Sequence, residues 1–284
     1  MMIFDTFVFA GEKDLLLERI NQLTSHVDFF IICESYMTFS GEPRQVDINF
    51  QEQLKNKLGG KIRWQTLPAL YGKDAWEREA FQRRSISENL KDIRRGDTIM
   101  LSDVDEIPSE EYLKYLLSLD CEDIVIAKMK LFRYCSHFES SEHWHGTVAI
   151  KYCDSLPDFQ SLRMRSVKFW LEDVSNIFEN GGSHFTTFLT ARQFKKKLSS
   201  FSHSELNVFP INNLFFLFLL IKLGITIDGK EILHLNKQTK NSINSGVCSS
   251  NHRFDKLRIK IATLIQPSVK KLFLKKVRFL STPK

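Results

Sequence analysis

The sequence has few of the residues that break or cross-link a chain. Its 284 residues include only 7 prolines and 12 glycines, which argues against a collagen-like, low-complexity or linker-rich protein. The cysteines are odd in number and form no C-x-x-C pair, so we expect neither a disulfide framework nor a cysteine-based zinc site. Reduced thiols in a cytoplasm fit this pattern. The five cysteines are Cys33, Cys121, Cys135, Cys153 and Cys248.

Long apolar runs are also missing. The longest run, residues 214–221, is followed by Lys222 and is far shorter than the roughly 20 residues that cross a bilayer. The first nine residues have no basic segment and include Asp5, which is unlike a secretory signal peptide. We therefore predict no transmembrane helix and a cytoplasmic location.

An excess of positive charge is absent from most of the chain. The net charge is +6, but residues 251–284 alone hold ten Lys or Arg against one acidic residue, Asp255. The remaining 250 residues have 30 basic and 33 acidic side chains. A nucleic-acid-binding face across the protein therefore has little support, and we expect no nucleic-acid partner.

Strand-like and helical patterns alternate along the first hundred residues. Apolar residues recur at helical spacing at 15–23 and 76–93, and Ser109 is a plausible helix N-cap. Such alternation is typical of βαβ units. We predict an α/β protein with a mainly parallel mixed sheet, an irregular stretch up to His184, and a helical C-terminal region. The predicted strands are residues 3–9, 27–33, 61–67, 98–101, 123–134 and 147–152.

A group of carboxylates follows the fourth predicted strand. Asp103, Asp105 and Glu106 lie within four residues, directly after an apolar run. Ligands bind at the C-terminal edge of parallel strands in open α/β folds. Crowded carboxylates are tolerated there when a divalent cation lies among them, and such oxygens suit Mg²⁺ or Mn²⁺ together with substrate phosphates. The alternative is a solvated turn before a helix.

Motifs on both sides of this cluster occur in one recognisable order. They include Trp144-His145-Gly146 and the segment Gly-Gly-Ser-His-Phe-Thr at 181–186. Together the motifs resemble glycosyltransferase family 17, the β-1,4-mannosyl-glycoprotein N-acetylglucosaminyltransferase family, over about residues 3–207, and suggest a bacterial member. The family pattern has Trp where this chain has Ser183, so the acceptor is expected to differ if that Trp stacks on a sugar. The other motifs lie at 5–15, 34–41, 76–83, 102–108 and 197–205.

The resemblance implies a fold and a reaction. Residues 1–207 would form a GT-A-like catalytic domain, followed by a helical extension at 208–250 and a basic tail at 251–284. The enzyme would be an inverting, metal-dependent glycosyltransferase using Mn²⁺ or Mg²⁺, with UDP-N-acetylglucosamine as leading donor and a glycan acceptor, lipid-linked or free, in bacterial surface polysaccharide assembly. The alternatives are a metal-dependent phosphohydrolase or nucleotidyltransferase, and a non-enzymatic glycan- or lipid-binding protein.

The acidic cluster and one histidine form the predicted metal site. Asp105 is the first candidate for direct metal contact, and Asp103 for the ribose or a metal-bound water. His184 follows two glycines that permit close backbone approach, and we expect it to contact the metal or a phosphate. The alternatives are a structural turn for the aspartates and a structural role for the histidine.

Five further residues complete the predicted site. Glu205 is the candidate catalytic base, because it is the carboxylate outside the Asp-x-Asp that best matches the family pattern; the alternative is a helix-end carboxylate paired with a nearby lysine. Glu106 is the second catalytic candidate; it could also support the metal-site residues from behind, or simply place a charge at the N-terminus of the following helix. Arg83 is expected to bind the diphosphate unless it forms ordinary helix salt bridges. Glu12 and Glu34 follow the first two strands and are expected to bind the base or ribose, with solvated loops as the alternative.

The basic tail has a helical pattern of its own. Apolar residues such as Ile261 and Leu264 recur at helical spacing before a break at Pro267, and Val269 begins a second such segment. Lysines and an arginine fall on the opposite face of that segment. We predict that the tail binds the anionic inner face of the plasma membrane; the alternative is an amphipathic helix packed on the protein.

Overall fold

Two units make up the chain, each with its own internal contacts. The computed structural model describes residues 1–121, 123–167, 176–200, 206–235 and 255–280. The N-terminal unit comprises Met1–Met129 and Trp144–His184, and the C-terminal unit comprises Lys130–His143 and Phe185–Lys284. The predicted boundaries after residues 207 and 250 are not the limits of these units and stay predictions.

The N-terminal unit contains most of a mixed sheet, as predicted, and the strands of that sheet also include residues 130–133, 138–143 and 185–186 of the C-terminal unit. The strands of the sheet lie in the order β3-β2-β1-β4-β7-β6-β8-β5. The neighbours β3, β2, β1 and β4 are parallel, whereas β4 pairs with β7, and β5 with β8, in antiparallel fashion. These strands are β1 (Ile3–Val8), β2 (Phe29–Ser35), β3 (Ile62–Leu67), β4 (Thr98–Asp103), β5 (Glu106–Pro108), β6 (Ile124–Arg133), β7 (Phe138–Lys151) and β8 (Ile177–Thr186).

Helices flank this sheet. Ser109 caps α4 as predicted, accepting a hydrogen bond from the backbone N–H of Tyr112 at 3.2 Å. The predicted helix at 76–93 is shorter than expected, because α3 ends at Ser85 and a 3-10 turn follows. The helices of this unit are α1 (Lys13–Leu23), α2 (Ile48–Leu58), α3 (Ala75–Ser85), α4 (Glu110–Leu116) and α5 (Phe159–Val167).

A buried cluster joins the sheet to its helices. Phe4, Ile31 and Ile99 come from adjacent parallel strands and are fully buried. They belong to the same cluster as Val148 of β7 and Phe159 of α5. Strands covered on both sides read as near-continuous apolar runs, which explains why the sequence pattern located β1, β2 and β4.

The register of the parallel strands places their C-terminal ends at one edge. Val8 at the end of β1 pairs with Cys33 of β2 on one side and with Asp103 of β4 on the other. Glu34 near the end of β2 and Glu12 after β1 therefore share the edge at which open α/β sheets bind ligands.

The C-terminal unit is mainly helical in its described part. It contains α6 (Ala191–Leu198), α7 (Leu214–Leu223), α8 (Asp255–Leu280) and the short strand β9 (His234–Leu235), which pairs with β7 through Phe138. Leu217 and Ile221 of α7 pack with α6, and Leu220 packs with Ala262 and Val269 of α8. Among the described helices, none combines the length and apolar character of a membrane-spanning segment.

The structure corrects the predicted form of the basic tail. Pro267 does not separate two helices but lies inside the single helix α8. Ala262 and Val269 are buried against α7, and the guanidinium of Arg258 donates hydrogen bonds to the carbonyls of Leu223 (2.6 Å) and Leu233 (3.0 Å). Part of the predicted apolar stripe is therefore a packing surface within this unit.

Two further expectations are wrong. The stretch predicted as irregular contains α5 and β8. Cys121 and Cys153 are joined in a disulfide, with Cα atoms 5.7 Å apart, so the expectation of reduced thiols fails for this pair. Cys33 is free and buried, and burial raises its pKa to about 12. Because disulfides are typical of oxidising compartments, the cysteines no longer support a cytoplasmic location.

Candidate active site

The acidic loop lies between two strands that belong to the same sheet. Asp103 ends β4, a two-residue turn contains Asp105, and Glu106 begins β5. In the pairing of β5 with β8, Glu106 lies opposite His184. His184 Nε2 is consequently 3.4 Å from Asp105 Oδ1. The structure thus brings His184 next to Asp103, Asp105 and Glu106, although Asp103 and His184 are 81 positions apart along the chain.

Glu106 holds this loop in place from the interior. Its side chain is fully buried, and its carboxylate accepts hydrogen bonds from Trp144 Nε1 at 2.6 Å and from the backbone N–H of Asp103 at 3.1 Å. Both carboxylate oxygens also accept from Arg163, at 2.6 and 3.0 Å. Since its oxygens already accept four hydrogen bonds, the geometry favours a positioning role, and the predicted catalytic role of Glu106 stays a prediction.

Arg163 is the main site residue that sequence reasoning missed. It projects from α5 with a nearly buried guanidinium that donates to Asp103 Oδ2 at 2.7 Å, to Glu106, and to the carbonyl of Gly146 at 3.1 Å. Burial lowers the pKa of Arg163, but the charges of Asp103 and Glu106 outweigh that effect and raise it above its usual value. Arg163 is therefore a fixed cation between two carboxylates.

Asp103 has a second cationic neighbour in Arg83 of α3. Arg83 donates to Glu79 at 2.7 Å, to Gln160 at 2.6 Å and, more weakly, to Asp103 Oδ1 at 3.4 Å. Burial raises the pKa of Asp103, yet the guanidiniums of Arg163 and Arg83 bring it below its usual value. With 34% of its side chain exposed, Asp103 is an ionised carboxylate that a ligand can reach.

A buried ion pair between α1 and β1 also supports the acidic loop. Arg19 of α1 is fully buried and binds both carboxylate oxygens of Asp5 in β1. It also donates to Ser102 Oγ at 3.0 Å and to the carbonyl of Glu106. Bidentate pairs of this kind fix geometry as well as charge. The motif residues Asp5 and Ser102 thus act on the shape of the acidic loop.

The other two carboxylates at this edge bind protein donors. Both oxygens of Glu34 are occupied, by Arg44 at 2.6 Å, Gln51 at 2.9 Å and Trp64 Nε1 at 3.0 Å. Burial outweighs these partners and raises the pKa of Glu34. Glu12 precedes α1 and accepts from a nearby backbone N–H at 3.1 Å. Their predicted contacts with the base or ribose stay predictions.

Asp105 and His184 fit a divalent cation shared with a diphosphate. Both side chains are about nine-tenths buried, and His184 Nδ1 has no hydrogen-bond partner among the described residues. The atoms that face each other are His184 Nε2 and Asp105 Oδ1, which are 3.4 Å apart. With metal bonds of about 2.1 Å, both atoms can contact a single ion. The described residues contain no group of three metal-ligating side chains, but Mg²⁺ is commonly held by one or two carboxylates plus substrate phosphates.

Trp144 is the aromatic side chain beside this pair. Its ring centroid lies 4.8 Å from that of His184. Gly146 is needed close by, because a Cβ there would come within 3.0 Å of Glu106 Cδ and 2.8 Å of Met129 Sδ. Ser183, where the family pattern has Trp, is half-buried and pairs with Ile107.

The two glycines before His184 serve the sheet. A Cβ on Gly181 would lie 2.6 Å from the Cβ of Ala127, and one on Gly182 would lie 2.3 Å from the carbonyl oxygen of Ile107. Gly182 also has a φ of +143°. Close packing of β8 against its neighbours, rather than approach to a ligand, therefore accounts for them. Glu205, the predicted base, lies outside the described residues.

Comparison with known proteins gives one family. The sequence profile of glycosyltransferase family 17 matches residues 1–210. Beta-1,4-mannosyl-glycoprotein 4-beta-N-acetylglucosaminyltransferases of human and rat are each 32% identical to the chain over 120 residues, and that of mouse is 31% identical. The aligned segment covers 38% of this chain and only 22% of each relative's length.

Solved structures show weaker likenesses. HddC from Yersinia pseudotuberculosis has a TM-score of 0.38 and 14% identity, covering 65% of this chain and 92% of its own. The apo-form glycosyltransferase GlyE in Streptococcus pneumoniae TIGR4 has a TM-score of 0.37 and 10% identity, covering 97% of this chain and 64% of its own. Likenesses at this level carry no conclusion about function.

Proposed function

Because the chain belongs to glycosyltransferase family 17, we propose that it transfers a sugar from a nucleotide-sugar donor to a hydroxyl group of a glycan acceptor. The observation that carries this proposal is the position of Asp103, Asp105 and His184. All three lie where β4, β5 and β8 meet, at the edge at which β1, β2 and β4 end. That edge is where open α/β sheets bind nucleotides.

The donor we propose is UDP-N-acetylglucosamine, since the curated relatives are named as N-acetylglucosaminyltransferases. The acceptor hydroxyl would attack the anomeric carbon with inversion, and UDP would leave. Asp105 and His184 would hold Mn²⁺ or Mg²⁺, which supplies positive charge for the leaving diphosphate. The acceptor is proposed to be a bacterial surface glycan at the cytoplasmic face of the membrane, on the sequence argument alone.

The remaining roles follow from the contacts of this chain. Asp103 stays ionised between two guanidiniums and is exposed enough to accept a hydrogen bond from the donor ribose. Trp144 offers an aromatic face beside His184, and Glu106 fixes its indole through Nε1. Glu205 remains the proposed base, placed in this role by the family pattern.

The test is a product assay with the purified chain, Mn²⁺ and a panel of UDP-sugars. With a glycan acceptor added, or with water as the acceptor when none is added, we expect release of UDP, fastest with UDP-N-acetylglucosamine, and about a 100-fold loss in Asp105→Asn. Asp154→Asn is the matched control, because that aspartate forms an exposed ion pair with Arg95. A phosphohydrolase or nucleotidyltransferase would instead give inorganic phosphate, a monophosphate or pyrophosphate exchange, and a binding protein would give no product. Any of these results overturns the proposal.

A further inference from the structure

One side of α7 is apolar and exposed to solvent. Leu214, Phe218 and Lys222 are four residues apart, and Phe215 lies between the first two, so all four side chains share one side of the helix. Leu214 is 38% exposed, Phe215 74% and Phe218 49%. These four residues are called the α7 face below. Shortly before the helix, Phe209 is also 69% exposed.

The α7 face is not needed for the core of its own unit. The opposite side of the helix, represented by Leu217, Leu220 and Ile221, is buried in two clusters with α6 and α8. Asn213 caps the helix through backbone N–H groups, and Gly224 ends it with a left-handed φ of 63°. The buried side therefore fixes the helix in its unit, whereas the aromatic side is exposed to solvent. Contiguous exposed apolar surface of this kind marks interaction sites.

Positive charge accompanies this surface. Lys222 Nζ lies 5.7 Å from the ring centroid of Phe218, so the basic end of the face adjoins its apolar part. The C-terminal unit has 20 Lys and Arg against 6 Asp and Glu, a net charge of +14, whereas the N-terminal unit has 20 against 28, a net charge of −8. Exposed lysines also lie on α6, which packs against α7: Lys195 and Lys196.

We propose that the α7 face docks on an anionic phospholipid surface. The rings of Phe215 and Phe218 would enter the boundary between headgroups and acyl chains, and Lys222 would stay at the level of the lipid phosphates. Aromatic residues beside basic ones, on a unit of strongly positive charge, fit a surface that is both apolar and anionic. A nucleic acid would leave the aliphatic part of the face uncovered.

This proposal changes the role of the basic tail. Ala262 and Val269 of α8 are buried against α7, so α8 acts as the support of the docking helix and as a source of charge. Deleting the tail would expose the back of α7 and would not separate membrane binding from folding. Point substitutions on the α7 face do separate them, because those side chains contribute little to the core.

The experiment measures binding of the full chain to sedimenting vesicles. Wild-type protein should bind phosphatidylcholine vesicles that contain phosphatidylglycerol, bind vesicles of phosphatidylcholine alone much more weakly, and detach as salt is raised. Replacing both Phe215 and Phe218 by Ser should lower the partition coefficient roughly tenfold or more. Leu264→Ser is the matched control, because Leu264 is 80% exposed on α8 and lies outside the α7 face; it should bind like the wild type. Phe215→Trp should bind at least as well.

The contrary outcomes are clear. Equal binding of the double variant and the wild type, or equal binding to neutral and anionic vesicles, overturns the proposal. If the double variant changes only the oligomeric state in light scattering, the face covers a second copy of the chain and the membrane proposal is wrong. Unchanged thermal unfolding of each variant shows that folding is not the cause. The readout does not depend on the proposed glycosyl transfer.

Discussion

Two carboxylates at the same edge of the sheet, on the strands either side of β1, have opposite environments. Glu34 at the end of β2 is buried, has both oxygens occupied by protein donors, and has a raised pKa because of burial. Asp103 at the end of β4 is one third exposed, and the guanidiniums of Arg163 and Arg83 lower its pKa despite burial. Both residues flank the end of β1, so strand position alone does not distinguish them.

The difference lies in the partners. Glu34 fixes Arg44 and Trp64 and has no oxygen left for a ligand, whereas Asp103 keeps its charge and part of its surface. A carboxylate whose oxygens all accept hydrogen bonds from the protein serves the fold, and one that stays ionised and partly exposed is a candidate for function. Both carboxylates lie at the edge where a ligand could bind. Their partners, which are distant in sequence, determine whether a carboxylate is available to that ligand.

The largest effect on this comparison is expected from removing Arg163. Arg163→Met leaves the fully buried Glu106 without its cation and Asp103 with Arg83 alone, which typically costs about 3–5 kcal/mol of unfolding free energy. Urea denaturation measures this loss. Arg95→Met, at an exposed ion pair, should cost less than about 1 kcal/mol. Equal stability of the two variants would show that Arg163 does not organise the acidic loop.

Asp103 and Asp105 should differ in the kind of loss they cause. Asp105→Asn removes a proposed metal ligand and should lower turnover about 100-fold with an intact fold. Asp103→Asn should mainly raise the donor KM, by roughly 10-fold, because it weakens one charge-assisted hydrogen bond to the donor. Steady-state kinetics separates the two. Similar losses in turnover for both variants would contradict distinct roles.

The pH dependence of stability should have opposite signs at the two carboxylates. The pKa of Asp103 is lowered from 3.8, so its ionised form stabilises the fold at higher pH and that stability is lost as pH falls below this value. The pKa of Glu34 is raised from 4.5, so stability is lost as pH rises above that value. Asp103→Asn should flatten the acid side of the stability profile, and Glu34→Gln the side above pH 4.5. Denaturant unfolding across this pH range measures the unfolding free energy of both variants. If Asp103→Asn and Glu34→Gln changed its slope against pH in the same direction, the comparison would be contradicted.

The smallest effect is expected at Glu12. Glu12 is partly exposed in the loop before α1 and its carboxylate accepts a hydrogen bond from the backbone N–H of Ala10, so the isosteric change Glu12→Gln should alter the unfolding free energy by about 0.5 kcal/mol or less. If the predicted contact with the nucleotide holds, UDP affinity should nevertheless fall by about 1 kcal/mol. Calorimetry of UDP binding decides the point, and unchanged affinity would remove Glu12 from the site.

The sequence pattern located those parts of the fold whose periodicity is strong. The strands around Phe4, Ile31 and Ile99 have continuous apolar runs. The sequence pattern did not predict helix α2, because only two of its side chains, Gln51 and Leu54, are buried. The helix therefore has almost no apolar stripe.

Sequence patterns also could not show which residues of the site come together, because such patterns describe local structure only. Arg163 lies on α5, whose start shows a usable signal: Pro157 is followed by Asp158, which accepts a hydrogen bond from the N–H of Ser161 at 2.7 Å. That pattern predicts a helix but not which side chains reach Asp103. The pairing of β5 with β8, which brings His184 to Asp105, depends on long-range register that no local pattern contains.

Calorimetric titration of UDP, with and without Mn²⁺, into wild-type protein and Asp105→Asn tests the central claim most directly. If Asp105 and His184 hold a cation that binds the diphosphate, Mn²⁺ should tighten UDP binding at least about tenfold in the wild type and should have little effect in the variant, while Asp154→Asn behaves as the wild type. UDP binding that ignores Mn²⁺, or an equal gain in Asp105→Asn, would contradict the account.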